Sequence, residues 1–231
     1  MGKFWQPWCQ RLGCCPLLHM FINNTGDRGV TTTLLCCICA SGMRIPPVVI
    51  FSVRKNVTGW NCMCSLVHLS PKGWINAKQF VEWFQHFIEC ISSHRPVLLF
   101  MDSHVSQITP EILSKTSNNG IHLVTFPSHT THLLQPLDIG VYRPLKDGWR
   151  KEVEKILTEH PIAKPDLYDF NGLLGSAYRG AFQSATVCNS FAKTGLFRFN
   201  RDAITRWSNC STSRHWKQRS KWQWDWNDFR W

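Results

Sequence analysis

The stretch Pro96 to Asp138 constrains this chain most. It reads PVLLFMDSH, then a polar and helix-prone piece, then GIHLVTFPSHTTHLLQPLD. Val97 to Met101 are apolar without alternation, the pattern of a strand covered on both faces, and Asp102 follows at its carboxyl end. Ile121 to Phe126 is a second short apolar run. Between the two, Thr109 is placed to N-cap a helix with Pro110 in its first turn, and Asn118-Asn119-Gly120 is placed to end it. A strand–helix–strand unit of this kind predicts parallel strands joined by a right-handed crossover. Functional groups of open α/β sheets gather at the carboxyl edge of such strands. Asp138 returns a second carboxylate towards that edge.

Paired carboxylates suit a divalent cation such as Mg²⁺, which takes oxygen ligands from acids, water and substrate phosphate. A plainer reading stands beside it: Asp102 ends a strand and Asp138 caps a helix. The HxxH pair His129 and His132, with His104 nearby, offers a third reading as transition-metal ligands.

Around this unit the pattern is that of an α/β protein, a mixed sheet flanked by helices. Thr31–Ala40 and Pro46–Val53 read as an antiparallel hairpin, the prolines at the entry of the second strand. The stretch 56–73 reads as loop, with Trp60, Cys62 and Cys64 as packing residues. Asn76 and Gln79 form a capping-box variant ahead of Phe80, Trp83, Phe84, Phe87, Ile88 and Ile91 at helical spacing. A later helix is expected from about Arg143 to Glu159, with Pro144 in its first turn. Leu145, Trp149, Val153 and Ile156 form its apolar side. Arg143, Lys146 and Arg150 form a second stripe, a solvated face or a phosphate contact. His160 to Pro165 breaks the chain, and Asp169–Val187 reads as one further helix.

The formal charge of +11 points to a polyanionic partner. The eleven cysteines cluster in apolar or adjacent positions and read as small buried hydrophobes, reduced in a nuclear or cytosolic protein. No apolar run approaches the ~20 residues of a membrane span, and no convincing signal-peptide cleavage site follows the short run near the N-terminus. Residues 205–231 hold half of the twelve tryptophans, mixed with arginine and lysine. That composition suits a disordered tail, or stacking on bases.

FMDSHVSQITPEIL, followed by GIHLVTFPSHTTHLLQPLDIGVYRPLK, resembles the catalytic domain of the pogo/Tigger/jerky transposases, a DDE superfamily endonuclease domain with an RNase H-like fold. The similarity continues upstream through RGVTTTLLCCICASGMRIPPVVIF and GWINAKQFVEWFQHFI, and downstream to NSFAKTGLFRFN. It spans residues 25–204, leaving 1–24 and the tail 205–231 outside. The resemblance implies cleavage and transfer of DNA with Mg²⁺ or Mn²⁺. Asp102 matches the family's second catalytic, metal-binding acid and Asp138 its third. The turn bearing His129 and His132 would lie beside them, against DNA. The partners implied are DNA and a second copy in a homodimer, with no membrane, in the nucleus.

The family's first acid lies on its first strand, in a motif like DETG. Residues 1–24 contain no Asp or Glu, and Asp27 falls in an expected turn, Asn23 to Asp27. The first strand is therefore expected to be missing or degenerate, the chain truncated within its catalytic fold, and the domain catalytically defective. The alternatives are an active endonuclease using Asp27 or an acid from another chain, a histidine-metal hydrolase, and a relic with an incomplete core.

Overall fold

A computed structural model describes residues 16–25, 30–52, 66–91, 95–102, 108–127, 130–159 and 167–203, the backbone alone at 16–25, 30, 31, 167, 168 and 171. Asp27, Trp60, Cys62, Cys64, Ser103, His104, His129 and the stretch 205–231 lie outside the described residues.

Six strands form one sheet: β1 (Pro16–Thr25), β2 (Val30–Cys39), β3 (Arg44–Ser52), β4 (Leu66–Ser70), β5 (Val97–Met101) and β6 (Ile121–Thr125). Their lateral order is β4-β3-β2-β1-β5-β6. The first three run antiparallel, whereas β4 lies parallel to β3, β5 to β1 and β6 to β5. The helices are α1 (Ala77–Cys90), α2 (Pro110–Asn118), the short α3 (Thr131–Leu134), α4 (Tyr142–Glu159), α5 (Leu167–Ala181) and α6 (Ser184–Thr194). A π-helical turn, Leu137–Val141, leads directly into α4. This is the RNase H-like mixed sheet flanked by helices.

Strand alternation sends the sheet's side chains into two cores. On one face Leu35, Cys37, Val48, Ile50, Leu99 and Met101 meet Phe80, Trp83, Phe84 and Phe87 of α1 and Ile112 of α2. On the other, Leu34, Cys36, Ile38, Val49, Phe51, Leu98 and Phe100 meet α4, α5 and α6. All five residues of β5 are buried because both faces are covered, which is why the strand shows no alternation. The five described cysteines are free thiols. Cys36 enters one core and Cys37 the other.

Local signals account for several boundaries. Asn76 accepts from the Gln79 amide at 2.9 Å and the Gln79 side chain accepts from the Asn76 amide at 3.2 Å, closing the capping box of α1. Thr109 caps α2 with Pro110 at its start, and Gly120 takes the φ of +59° that follows its end. Pro46 and Pro47 do not stand at the entry of β3. They lie inside it, where the register with β2 shifts, so their missing N–H groups break no ladder bond there.

Four sequence expectations change. Leu66–Ser70, expected as loop, is a strand; its short, half-buried edge position left little hydrophobic signal. Pro16–Thr25 is a strand too, and Asn23, Asn24 and Thr25 belong to it rather than to a turn. It occupies the centre of the sheet, so of the two expected states, missing or degenerate, the first strand is present and lacks an acid. The run Ile121–Phe126 supplies an edge strand, β6, in which only Ile121 is buried; Phe126, just past its end, is buried as well. The single helix expected over Asp169–Val187 is two, α5 and α6, broken at Phe182 and Gln183. Phe182 is fully buried and stacks on Tyr178 at 3.9 Å, so the apolar period runs on while the backbone turns. Its carbonyl accepts from the Arg44 guanidinium.

Candidate active site at the carboxyl edge of the sheet

Asp102 follows Met101 directly and is half-buried at the carboxyl end of β5. The Phe126 amide donates to the Met101 carbonyl at 3.0 Å, so β5 and β6 stay joined up to this edge. β1 runs beside β5 in parallel, with Leu17 opposite Phe100 and Leu18 opposite Met101. Continuing that register puts His19 level with Asp102. No residue of β1 is an acid.

Asp138 sits in the π-turn. The Gln135 carbonyl accepts from the amides of both Asp138 and Ile139 at 3.1 Å, which fixes the entry to the turn. Gly140 lets the turn approach α6: a Cβ there would lie 2.7 Å from the Cβ of Ser190. Tyr142, the first residue of α4, is buried and its hydroxyl hydrogen-bonds the Cys36 thiol of β2. These contacts hold Asp138 over the sheet, where it feels the charge of Asp102. The structure thus brings the two acids to one edge.

Lys146 shares that environment. The sequence grouped it with Arg143 and Arg150 in one solvent-facing stripe. That grouping does not hold: Lys146 is buried and interacts with Asp138. The side chains of Arg143 and Arg150 are 82% and 52% exposed and both approach Asp147, at 4.0 Å and 3.4 Å. The physical reason is helical phase: the position after Leu145 lies at the margin of the buried side of α4, where a long side chain reaches inward.

Burial raises the Asp138 carboxyl to about 7, opposed by the Lys146 charge and reinforced by Asp102. Burial lowers the Lys146 ammonium to about 7, opposed by Asp138 and Asp147. Each charge is disfavoured by desolvation and favoured by its partner.

Among the described residues the donor set falls short of what two divalent cations need. A paired-metal centre needs several anionic ligands to offset the repulsion between the ions. Here β1 supplies no acid, and among the described residues no group of three or more His, Cys, Asp or Glu is arranged to hold a metal. His132 is exposed on α3.

Sequence reasoning passed over Gln135. It is fully buried, and neither the oxygen nor the nitrogen of its amide has a hydrogen-bond partner among the described residues. The available signal was an isolated polar residue inside the apolar run LLQPL.

The mixed sheet carries one acid just past the end of β5 and a second on the helical turn that leads into α4. The chain belongs to the family described as DDE superfamily endonuclease, whose model matches residues 28–191. A curated relative, "MFS-type transporter clz9" of Cochliobolus lunatus, is 31% identical over 180 residues; these are 74% of this chain and 19% of that protein. The chain thus spans about a fifth of that relative's length. Among the described residues no helix is long and apolar enough to cross a membrane. Similar solved structures include the catalytic domain of Mos1 mariner transposase, with 12% identity, 84% of this chain and 95% of that one covered, and a TM-score of 0.43. A second is the HTLV-2 integrase catalytic core domain in complex with magnesium, with 10% identity, 71% and 83% covered, and a TM-score of 0.37.

Proposed function

We propose that the chain is a transposase-derived DDE domain that binds DNA in the nucleus without cleaving it. One observation carries this reading: the strand beside Asp102 is in place and contains no acid. The sheet edge keeps its shape while its charge has changed. Asp102 and Asp138 stand where a paired-ion centre would need more carboxylates, and β1 adds none. Catalysis by paired ions would lose the attacking and the leaving oxygen's stabilisation together. A loss of ~4 kcal/mol already slows turnover roughly a thousandfold. The basic excess of +11 supports retention of DNA as partner.

Two assays on the same preparation test the reading. Fluorescence anisotropy with labelled DNA across a salt series is expected to show binding that weakens steeply with salt. Incubation with supercoiled DNA and Mg²⁺ or Mn²⁺ is expected to leave it uncut. Metal-dependent nicking that disappears in Asp102→Ala would overturn the inactive assignment. Absence of DNA binding at low salt would overturn the binding half.

A further inference from the structure

Three described tryptophans have measured exposure, and they divide sharply. Trp83 is 1% exposed and Trp149 is 6% exposed, whereas Trp74 is 46% exposed. A large aromatic side chain on the surface calls for explanation when the backbone beneath it is fixed. Here it is fixed on both sides. The Gly73 amide donates to the Ser70 carbonyl at 3.1 Å, and the buried Thr33 hydroxyl donates to the Gly73 carbonyl at 2.6 Å. Ile75 packs into the core under α1, and Asn76 closes the capping box.

The mount is basic. Lys72 and Lys78, on either side of Trp74, are both exposed, and the first turn of α1 contains no acid. The capping box already engages the start of α1, so the recognition feature is the ring with its flanking ammonium groups.

The register locates this patch relative to Asp102. Thr33, which holds Gly73, pairs with Ile22 of β1, while Leu18 of β1 pairs with Met101 of β5. Thr33 therefore stands about 10 Å further along the strands than Asp102 and about 10 Å to one side, two strand spacings away, and Trp74 directly follows the glycine that Thr33 holds. A stacked strand covers that distance in ~4 nucleotides at 3.4 Å each.

We infer that Trp74 is a stacking platform for an unpaired DNA base, with Lys72 and Lys78 gripping the adjoining phosphates. An indole face accepts any base and lysines neutralise the backbone, so the patch fits a single-stranded segment passing the carboxyl edge of the sheet. This inference rests on the DNA-binding reading above and assigns the strand form and a contact for it.

The test uses the whole chain, a fluorescein-labelled single-stranded oligonucleotide and the matching duplex, each titrated across a salt series. Trp74→Ala is expected to weaken single-strand binding roughly 5- to 150-fold, the range of one lost stacking contact. Duplex binding should change far less, and Trp74→Phe should recover most of the loss. Lys72→Gln with Lys78→Gln is expected to lower the single-strand salt slope by about 1.4, or ~0.7 per phosphate. Circular dichroism melts should superimpose, because the truncated side chain is exposed. Unchanged single-strand affinity in Trp74→Ala, with the parent chain binding DNA, overturns this inference alone. No DNA binding by the parent chain overturns it together with the proposed function. Loss of a dimer in Trp74→Ala by light scattering, at unchanged DNA affinity, would show a self-contact and also overturn it.

Discussion

Lys146 and Asp138 come together because the helix that joins them contains a π-turn. In a regular α-helix, positions eight apart differ by ~80° beyond two full turns. The turn Leu137–Val141 accommodates one extra residue, which removes ~100° and leaves the two side chains within about 20° of one face. A buried lysine thereby comes within range of the charge of the acid that the resemblance matches to a family metal ligand. Both groups are buried enough that desolvation outweighs the partner's charge.

This arrangement predicts a pH-dependent stability. Asp138 is raised from 3.8 to about 7, so the folded chain holds its proton more tightly than the unfolded chain. Its favourable contribution is full below pH 4 and declines as pH rises to about 7. Lys146 is lowered from 10.5 to about 7, so its penalty is full below pH 7 and fades as pH rises to 10.5. Replacing Asp138 by Asn removes the first effect. The stability of Asp138→Asn relative to the parent should therefore rise by roughly 2 kcal/mol between pH 4 and 7, discounted for a half-buried site, and then level off. Urea melts at half-unit pH intervals measure this. A difference that stays flat from pH 4 to 7 would contradict the desolvated carboxyl.

Gly140 should tolerate no side chain. Its added Cβ would meet the Cβ of Ser190 at 2.7 Å, and the α-carbon behind it at 3.3 Å. Neither is the free end of a flexible group, so the π-turn and α6 must separate. Gly140→Ala is expected to cost about 1–3 kcal/mol. Combining it with Ser190→Gly should cost less than the sum of the single changes, because the two atoms collide with one another. Additive costs in denaturant melts would show that the clash is relieved elsewhere.

The basic side chains of α4 should separate into two behaviours. Arg143 and Arg150 are exposed and flank Asp147. If they contact duplex phosphates, Arg143→Gln and Arg150→Gln each lower the salt slope by ~0.9. Lys146→Gln should leave the slope unchanged, since Lys146 is buried and feels the charge of Asp138. A slope that falls equally for all three would restore the single basic face expected from sequence.

A carboxylate restored on β1 should bring back metal affinity. Position 19 is level with Asp102 in the parallel register. The parent chain is expected to show no Mn²⁺-dependent rise in melting temperature. His19→Asp should gain one, about 2.7 kcal/mol at a hundredfold excess of ion over its dissociation constant. Adding Asp102→Ala should abolish the gain. Equal response of parent and variant to Mn²⁺ would mean that the parent's donors already suffice.

Elements that carry their own signal were legible from the chain. Asn76 with Gln79, Thr109 with Pro110, and the apolar stripe of α1 are local interactions, complete within a turn or two, and the structure shows each of them. The parallel pairing of β5 and β6 followed from the crossover between them. The strand–helix–strand pattern was enough to put Asp102 and Asp138 at one edge. Strand β4 was not legible, because five half-buried edge residues need no strong pattern once β3 supplies the ladder.

The sequence by itself determined a doubly covered strand ending in Asp102, a family motif ending in Asp138, and the lack of any acid before Asp27. It could not say whether that acid-free segment still forms a strand, because strand formation there depends on partners far along the chain. Pairing with β2 on one side and β5 on the other decided it. Nor could a helical wheel place Lys146. The inserted residue of the π-turn sets its phase, and the burial that turns it from a surface charge into the partner of Asp138 comes from packing against the sheet. Periodicity records local geometry, whereas desolvation and charge pairing are properties of the assembled fold.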